Sequence, residues 1–283
     1  MYISHSQSIL TENNLMDDII NETQNKPKRS GGRVLNLYKN LCETPRERLD
    51  RLRIERPEYA HEVLSYAGRL DPMAEGVLLT LVGSANGQRE AYLNMSKEYV
   101  LDVLFGFSTD TYDVLGRVME SGEPEEVTKS AIQKSLNEFR GSVEQEYPPY
   151  SSKTVDGKSL FEWARASMLG SIVVPKKTVT VYEIKIESVY KLSEKTLLNY
   201  IEQHVGRVNG DFRQDEILQT WNRYLRQNGD RSFVCATIKI SCSSGVYARS
   251  IAHGLGQDLG VPALSLHILR TKVGEYSVDK SLK

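Results

Sequence analysis

The strongest constraint on the fold is a strict alternation of apolar residues within positions 98–107. Tyr99, Leu101, Val103, Phe105 and Phe107 occupy every second position. Successive side chains of a β-strand point to opposite faces of a sheet. The alternation therefore predicts a strand with these five side chains on one buried face.

Helical and strand patterns alternate along the rest of the chain. Further strands are predicted at residues 34–39, 179–189 and 233–242. Helices are predicted at residues 45–56, 128–139, 160–168, 194–205, 214–226 and 247–259. The order contains no regular βαβ period and no Gly-rich phosphate loop. We therefore expect an α+β fold, in which a largely antiparallel, mixed central sheet is flanked by helices.

Composition excludes several classes of protein. Of the 283 residues, 40% are hydrophobic and 26% are charged, which excludes a wholly disordered or collagen-like chain. No apolar run approaches the roughly 20 residues of a membrane span, and residues 1–25 lack the pattern of a secretory signal. We expect a cytoplasmic monomer with no membrane contact, comprising a disordered polar and basic tail (1–33) and one domain (34–283).

Charge is distributed unevenly although the net charge is only −1. Residues 26–56 contain ten basic and four acidic residues, a local net charge of +6, and residues 151–180 carry +3. Such patches can bind a polyanion through counterion release. They can equally be ordinary solvated surface, and charge alone leaves both interpretations open.

A few polar residues are candidates for chemistry. Asp71 lies in a loop before Pro72 and could act as a nucleophile or simply cap a turn. Asp110 and Asp113 form a weak metal site and are better suited to capping amides or pairing with basic residues. The five histidines lack metal-ligand spacing, and the three cysteines cannot form a disulfide framework. We therefore expect no metal site.

Aromatic and basic residues are interleaved at several positions. Tyr99 follows Lys97, Tyr247 precedes Arg249, and Lys153 closely follows a Tyr-Pro-Pro-Tyr run. Proteins that bind an unstacked base combine aromatic faces with Arg or Lys. Tyr99 and Tyr247 also lie on apolar faces, so a purely structural role in the core is an alternative.

Taken together and in this order, six segments resemble the TruB family of RNA pseudouridine synthases. They are GRLDPMAEGVL (68–78), KEY (97–99), G106 with TDTYD (109–113) and G116, PPYSSK (148–153) with G157 and AR (164–165), CSSGVYARS (242–250), and LRT (269–271) with G274. The resemblance extends over about residues 34–276.

The resemblance implies a pseudouridine synthase fold that isomerises a uridine in RNA without a metal or cofactor. It implies that Asp71 is the nucleophile, that Tyr99 stacks on the flipped base and relays a proton, and that Arg249 pairs with Asp71. The usual target is the T-loop uridine of tRNA at position 55. Predicted substrate-binding residues are Tyr247, Lys97, Lys153, Lys39 and Leu269.

The chain also departs from the family pattern. Tyr66 stands where the family usually has a histidine, and residues from about 193 to 230 are predicted to be a helical insertion. We also expect that the PUA-type RNA-binding domain, which usually follows in the family, is lacking. Three alternatives stay open: a catalytically silent RNA chaperone on the same fold, a synthase for another RNA stem-loop, and a protein-interaction module.

Overall fold

The computed structural model describes residues 31–123, 127–225 and 231–283. The predicted tail at residues 1–33 lies outside the described residues except for its last three positions. Among the described residues, no helix is both long enough and apolar enough to cross a bilayer.

The described residues form thirteen strands and seven α-helices. The strands are β1 (Arg33–Lys39), β2 (Leu64–Ala67), β3 (Ala74–Val82), β4 (Lys97–Phe105), β5 (Phe107–Thr109), β6 (Val118–Ser121), β7 (Gly141–Glu146), β8 (Thr154–Val155), β9 (Lys158–Ser159), β10 (Lys176–Ser193), β11 (Ser232–Cys242), β12 (Ala263–Val273) and β13 (Tyr276–Ser277). The helices are α1 (Pro45–Glu55), α2 (Arg89–Leu93), α3 (Lys129–Leu136), α4 (Leu160–Arg165), α5 (Glu194–Val205), α6 (Gln214–Leu225) and α7 (Ala248–Leu259).

Nine strands form one mixed sheet at the centre of the molecule. Seven follow the order β1-β3-β12-β4-β11-β10-β7, while β2 and β13 pair with β3 and β12. The β3–β12 pair is parallel and the other pairs of this sheet are antiparallel. The predicted α+β fold with a largely antiparallel, mixed sheet is therefore confirmed.

Strand β4 confirms most of the alternation that predicted it. Tyr99, Leu101, Val103 and Phe105 belong to one core cluster, but Phe107 packs in the cluster on the other face. The placement of Phe107 on the shared face was wrong. Gly106 adopts φ 109°, a conformation that favours glycine, so β4 ends there and the following residue turns to the other face.

Strand β3 had no predicted element because its sequence has no period of two. All but one of its nine residues are buried. A strand that is covered on both faces has a continuous apolar sequence, which periodicity alone does not distinguish from a buried helix.

The two-helix segment (residues 194–225) connects two neighbouring strands, β10 and β11. Ser193 and Ser232 are paired across these strands, so the segment leaves and rejoins the sheet at adjacent points. Trp221 is fully buried, and its indole N–H lies 3.2 Å from the carbonyl of Val114 and 3.1 Å from that of Gly116. The segment is thus docked onto the loop that follows β5.

Candidate active site

The loop between β2 and β3 places Asp71 three residues before the start of β3, an inner strand of the central sheet. Gly68 begins the loop with φ 88°, and the carbonyl of Pro72 accepts a hydrogen bond from the amide of Cys42 at 2.8 Å. The Asp71 side chain keeps 29% of its surface exposed. A carboxylate on a fixed loop is therefore presented to solvent.

Arg249, in the first turn of α7, approaches Asp71 from the other side. Its side chain is 3% exposed, and its Nε donates to Asp71 Oδ2 at 2.8 Å. Its two terminal nitrogens donate to the carbonyls of Thr111 at 2.6 Å and Tyr150 at 3.1 Å. The predicted pairing of Arg249 with Asp71 is present, and three chain segments fix the guanidinium in one orientation.

A second carboxylate, Asp113, faces the same guanidinium at 3.6 Å. It accepts hydrogen bonds from the Thr111 hydroxyl at 2.8 Å and the Leu115 amide at 2.9 Å. Burial raises the pKa of Asp113 to about 6, and the charge of Asp71 adds to the rise, although Arg249 and the hydrogen bonds oppose it. Asp113 caps a turn amide and faces an arginine, as its sequence position suggested.

A cavity of about 420 Å³ opens beside Asp71. Tyr99, which is 8% exposed, lies in its wall together with Arg270. Burial raises the pKa of Tyr99 to about 12. Asp71, Tyr99 and Arg249, which the family resemblance brought together, therefore line a single opening.

Two of the predicted binding residues line this cavity and a third lies outside it. Tyr247 lies in the wall, with its ring centroid 5.7 Å from that of Tyr147. Lys97 also lines the cavity, but its ammonium donates to the carbonyls of Leu93 and Met95 at 2.5 Å each. Burial lowers the pKa of Lys97 to about 8. Lys153 is exposed, with its ammonium 5.4 Å from the centroid of the Tyr147 ring.

Lys39 and Leu269, the other two predicted binding residues, do not line this cavity. Lys39 is fully buried and donates to the carbonyls of Asn40 and Glu43, and burial lowers its pKa to about 8. Leu269 lies against Gly76, whereas its neighbours on β12, Ile268 and Arg270, line the cavity. Successive residues of a strand face opposite sides, so the Leu269 side chain is directed away from the cavity.

Arg270 lines the cavity but was not among the predicted site residues. It is 1% exposed, and its guanidinium donates to the carbonyls of Val77 at 2.8 Å and of Arg69 and Gly68 at 3.1 Å each. It therefore holds both ends of the Asp71 loop. The available signal was a lone arginine within an apolar strand, since such a residue is buried only when it is paired.

In the basic patch predicted at residues 26–56, five of the seven basic residues that the structure describes are buried or in ion pairs, whereas Arg33 and Arg56 are exposed. Arg46 and Arg53 pair with Asp50, and Arg51 pairs with Glu43. Arg48 is buried and donates to the carbonyl of Tyr38 at 2.7 Å. Three of the arginines of α1 therefore form ion pairs with nearby carboxylates.

The family model described as TruB family pseudouridylate synthase (N terminal domain) matches residues 57–206. This chain belongs to the TruB family. Its relatives include the protein named tRNA pseudouridine synthase B from Caldanaerobacter subterraneus subsp. tengcongensis, which is 29% identical over 248 residues, or 88% of this chain and 71% of that protein.

Two further TruB relatives carry the same name. The Bacillus subtilis protein is 30% identical over 218 residues, and the Synechocystis sp. protein is 31% identical over 219 residues. Each match covers 77% of this chain but only 58% and 60% of the respective relative. The chain therefore spans little more than half the length of these two TruB proteins.

Solved structures share the fold. The crystal structure of a Cbf5-Nop10-Gar1 complex gives a TM-score of 0.52 at 20% identity, covering 86% of this chain and 49% of the matched chain. The structure of an H/ACA RNP bound to a substrate RNA containing 2'-deoxyuridine gives 0.51 at 19% identity, covering 88% and 50%. The central sheet and its helices thus recur in these complexes.

Proposed function

We propose that this chain isomerises a uridine of tRNA to pseudouridine, with Asp71 as the nucleophile. The observation that carries the proposal is a partly exposed carboxylate in a 420 Å³ cavity, held at 2.8 Å by a buried arginine. The names of the TruB relatives support tRNA as the substrate. The T-loop uridine at position 55 is the site that the family resemblance favours.

The reaction exchanges one bond for another and leaves the composition unchanged. Asp71 attacks the ribose or the base, and the N1–C1′ bond breaks. The freed base rotates, a C5–C1′ bond forms, and the bond to Asp71 breaks, so that the carboxylate is regenerated. The proton on C5 is then lost and N1 regains a proton, so the product is an isomer of the substrate. Arg249 binds Asp71 through Oδ2, which leaves Oδ1 to approach the nucleotide.

Aromatic side chains suit an everted base. Tyr99 and Tyr247 line the cavity, and base stacking on such rings offsets the few kcal/mol that flipping costs. Because the pKa of Tyr99 is raised to about 12, its phenol stays protonated at neutral pH. This favours stacking and hydrogen-bond donation by Tyr99 over proton abstraction.

We also propose that the protein acts in the cytoplasm. Cys42, Cys235 and Cys242 are buried free thiols, which is typical of proteins from a reducing compartment.

Release of tritium from C5 of uridine tests the reaction and the nucleophile together. Unmodified tRNA that carries tritium at uridine C5 should release label with the wild-type protein. Asp71→Asn should lower the rate by about 10³-fold or more while tRNA binding is kept. Asp258→Asn, which changes an exposed aspartate near the other end of α7, is the matched control and should react at the wild-type rate.

Two results would overturn the proposal. If Asp71→Asn releases label as fast as the wild type, Asp71 is not the nucleophile. If the wild type binds tRNA but releases no label, the protein is an RNA-binding chaperone. Mapping pseudouridine in the product, with a second tRNA in which uridine 55 is replaced by cytidine, tests the position.

A further inference from the structure

Arg213, the residue immediately before α6, reaches from the two-helix segment toward the loops around Asp71. Its side chain is 14% exposed. Its two terminal nitrogens donate to Asp110, at 2.6 Å to Oδ2 and at 3.4 Å to Oδ1. Two parallel hydrogen bonds to one carboxylate fix the plane of a guanidinium as well as its position. The Arg213 side chain is therefore held in one orientation.

The same guanidinium covers an aromatic ring. Its central carbon, Arg213 Cζ, lies 4.5 Å from the centroid of the Tyr150 ring. The Tyr150 hydroxyl in turn donates to Asp110 Oδ2 at 3.4 Å. A guanidinium is attracted to the face of a tyrosine ring, and more strongly where water is partly excluded. Arg213, Asp110 and Tyr150 therefore hold one another through three mutual contacts.

Both contact partners of this guanidinium lead to Arg249. The carbonyl of Tyr150 accepts a hydrogen bond from one terminal nitrogen of Arg249 at 3.1 Å. The carbonyl of Thr111, the residue after Asp110, accepts from the other at 2.6 Å. The Nε of Arg249 binds Asp71 at 2.8 Å. The backbone that orients Arg249 is thus the backbone to which Arg213 is attached.

Neutralisation of charge alone does not account for Arg213. The carboxylate of Asp110 already accepts hydrogen bonds from the Nε of Arg117 at 3.1 Å and from its amide at 2.9 Å. Arg213 also adopts φ 61°, a left-handed conformation that is costly for a residue with a Cβ. Such strain persists only where the surrounding contacts determine it, and it is concentrated at functional sites. The second arginine and the strained backbone indicate a geometric requirement at this position.

We propose that Arg213 is a positioning residue for the reaction. It fixes Asp110 and Tyr150, and through them the two carbonyl groups that orient Arg249. Arg249 then presents Asp71 to the substrate in one direction. This inference rests on the proposed function, since it takes Asp71 to be the nucleophile. Misplacement of a reacting group by about 1 Å, caused by a distant substitution, slows a reaction by about 100-fold.

The rate of the reaction and the affinity for RNA, measured separately, test this role. Single-turnover release of tritium from uridine C5 of tRNA is followed at saturating protein. Arg213→Gln removes the guanidinium and should lower this rate constant about 10- to 100-fold. Kd for tRNA is measured by fluorescence anisotropy with proteins that also carry Asp71→Asn. Arg213→Gln should leave Kd unchanged, because it acts on the protein's own carbonyl groups.

Two further comparisons show whether the effect passes through Asp110. Arg223→Gln changes an exposed arginine of α6 and is the matched control, which should react at the wild-type rate. In a protein that carries Asp110→Asn, Arg213→Gln should slow release by less than about threefold, because the carboxylate through which it acts is already absent.

Arg213→Gly separates positioning from stability. Glycine adopts φ 61° without the cost of a Cβ, so this variant loses the guanidinium but also loses the backbone strain. Its midpoint of urea unfolding should therefore lie closer to that of the wild type than the midpoint of Arg213→Gln does. Its rate constant should nevertheless fall as far. This variant decides the question if Arg213→Gln does not fold.

Three outcomes would overturn the inference. The first is a wild-type rate constant in a folded Arg213 variant. The second is a weakened Kd with an unchanged rate at saturating protein, which would assign Arg213 to RNA binding. The third is an undiminished effect of Arg213→Gln when Asp110→Asn is present. Failure of the proposed function is distinguishable, since the wild type itself would then release no label.

Discussion

The substitution Asp113→Asn removes a buried carboxyl group. This group and Asp71 both face the guanidinium of Arg249. The Asp113 side chain is 7% exposed, and burial is the largest cause of its raised pKa. Asparagine has nearly the same shape and retains an oxygen for the Thr111 and Leu115 hydrogen bonds. The amide NH2 then faces Arg249 in place of Oδ2, and this effect is the same at every pH, so the pH dependence of the difference isolates the charge.

The magnitude follows from the pKa of about 6 in the folded protein. An unfolded aspartate titrates near 3.9, and each unit of difference is worth about 1.36 kcal/mol. The folded state therefore binds the Asp113 proton more tightly between about pH 4 and pH 6. As the pH rises through this window, this carboxyl group lowers the free energy of unfolding by up to about 3 kcal/mol.

Urea unfolding of the wild type and Asp113→Asn at pH values from 4.5 to 8 measures this effect. The free energy of unfolding of the variant minus that of the wild type should increase by about 2 kcal/mol between pH 4.5 and pH 7. Asp258→Asn should give a difference without this trend. A difference that stays constant or decreases with pH would refute the reasoning, since Arg249 would then outweigh burial at Asp113.

Two further substitutions test the framework of the site. Gly76→Ala places a Cβ against the carbonyl of Arg270 at φ 106°, and should lower the free energy of unfolding by at least about 2 kcal/mol and slow tritium release. Gly170→Ala, where a Cβ meets open space, is its control, and equal melting temperatures would contradict the clash. Trp221→Phe leaves two buried carbonyls without the indole donor and should cost about 1–3 kcal/mol in urea unfolding. Trp163→Phe, a partly buried indole with a single carbonyl acceptor, should cost less, and a loss for Trp221→Phe below about 0.5 kcal/mol would argue against docking through this ring.

Among the described residues, the sequence pattern predicted six of the seven α-helices but only four of the nine strands of the central sheet, β1, β4, β10 and β11. The predicted cap of α3 is also present: the Thr128 hydroxyl accepts a hydrogen bond from the Ala131 amide at 3.1 Å. β3 was not predicted because both of its faces are covered, so its sequence shows no alternation. The turn at Gly106 was not predicted, because an alternating pattern does not reveal a change of backbone direction.

The active-site geometry was accessible only through the family resemblance. Asp71 and Arg249 are separated by 178 positions in sequence, so no local pattern connects them. The burial of Arg270 was equally hidden, because it binds the carbonyls of Val77 and Gly68, which only the folded chain brings near. Charge counted along the sequence therefore overestimated what is available to RNA.

The pairing of Ser193 with Ser232 has an evolutionary consequence. A connection between hydrogen-bonded antiparallel neighbours can be lengthened, shortened or exchanged while both strands keep their register. New contacts for a polynucleotide can thus be acquired at this hairpin end without disturbing the residues that carry out the reaction. Recognition and chemistry are free to diversify at different rates in such an architecture.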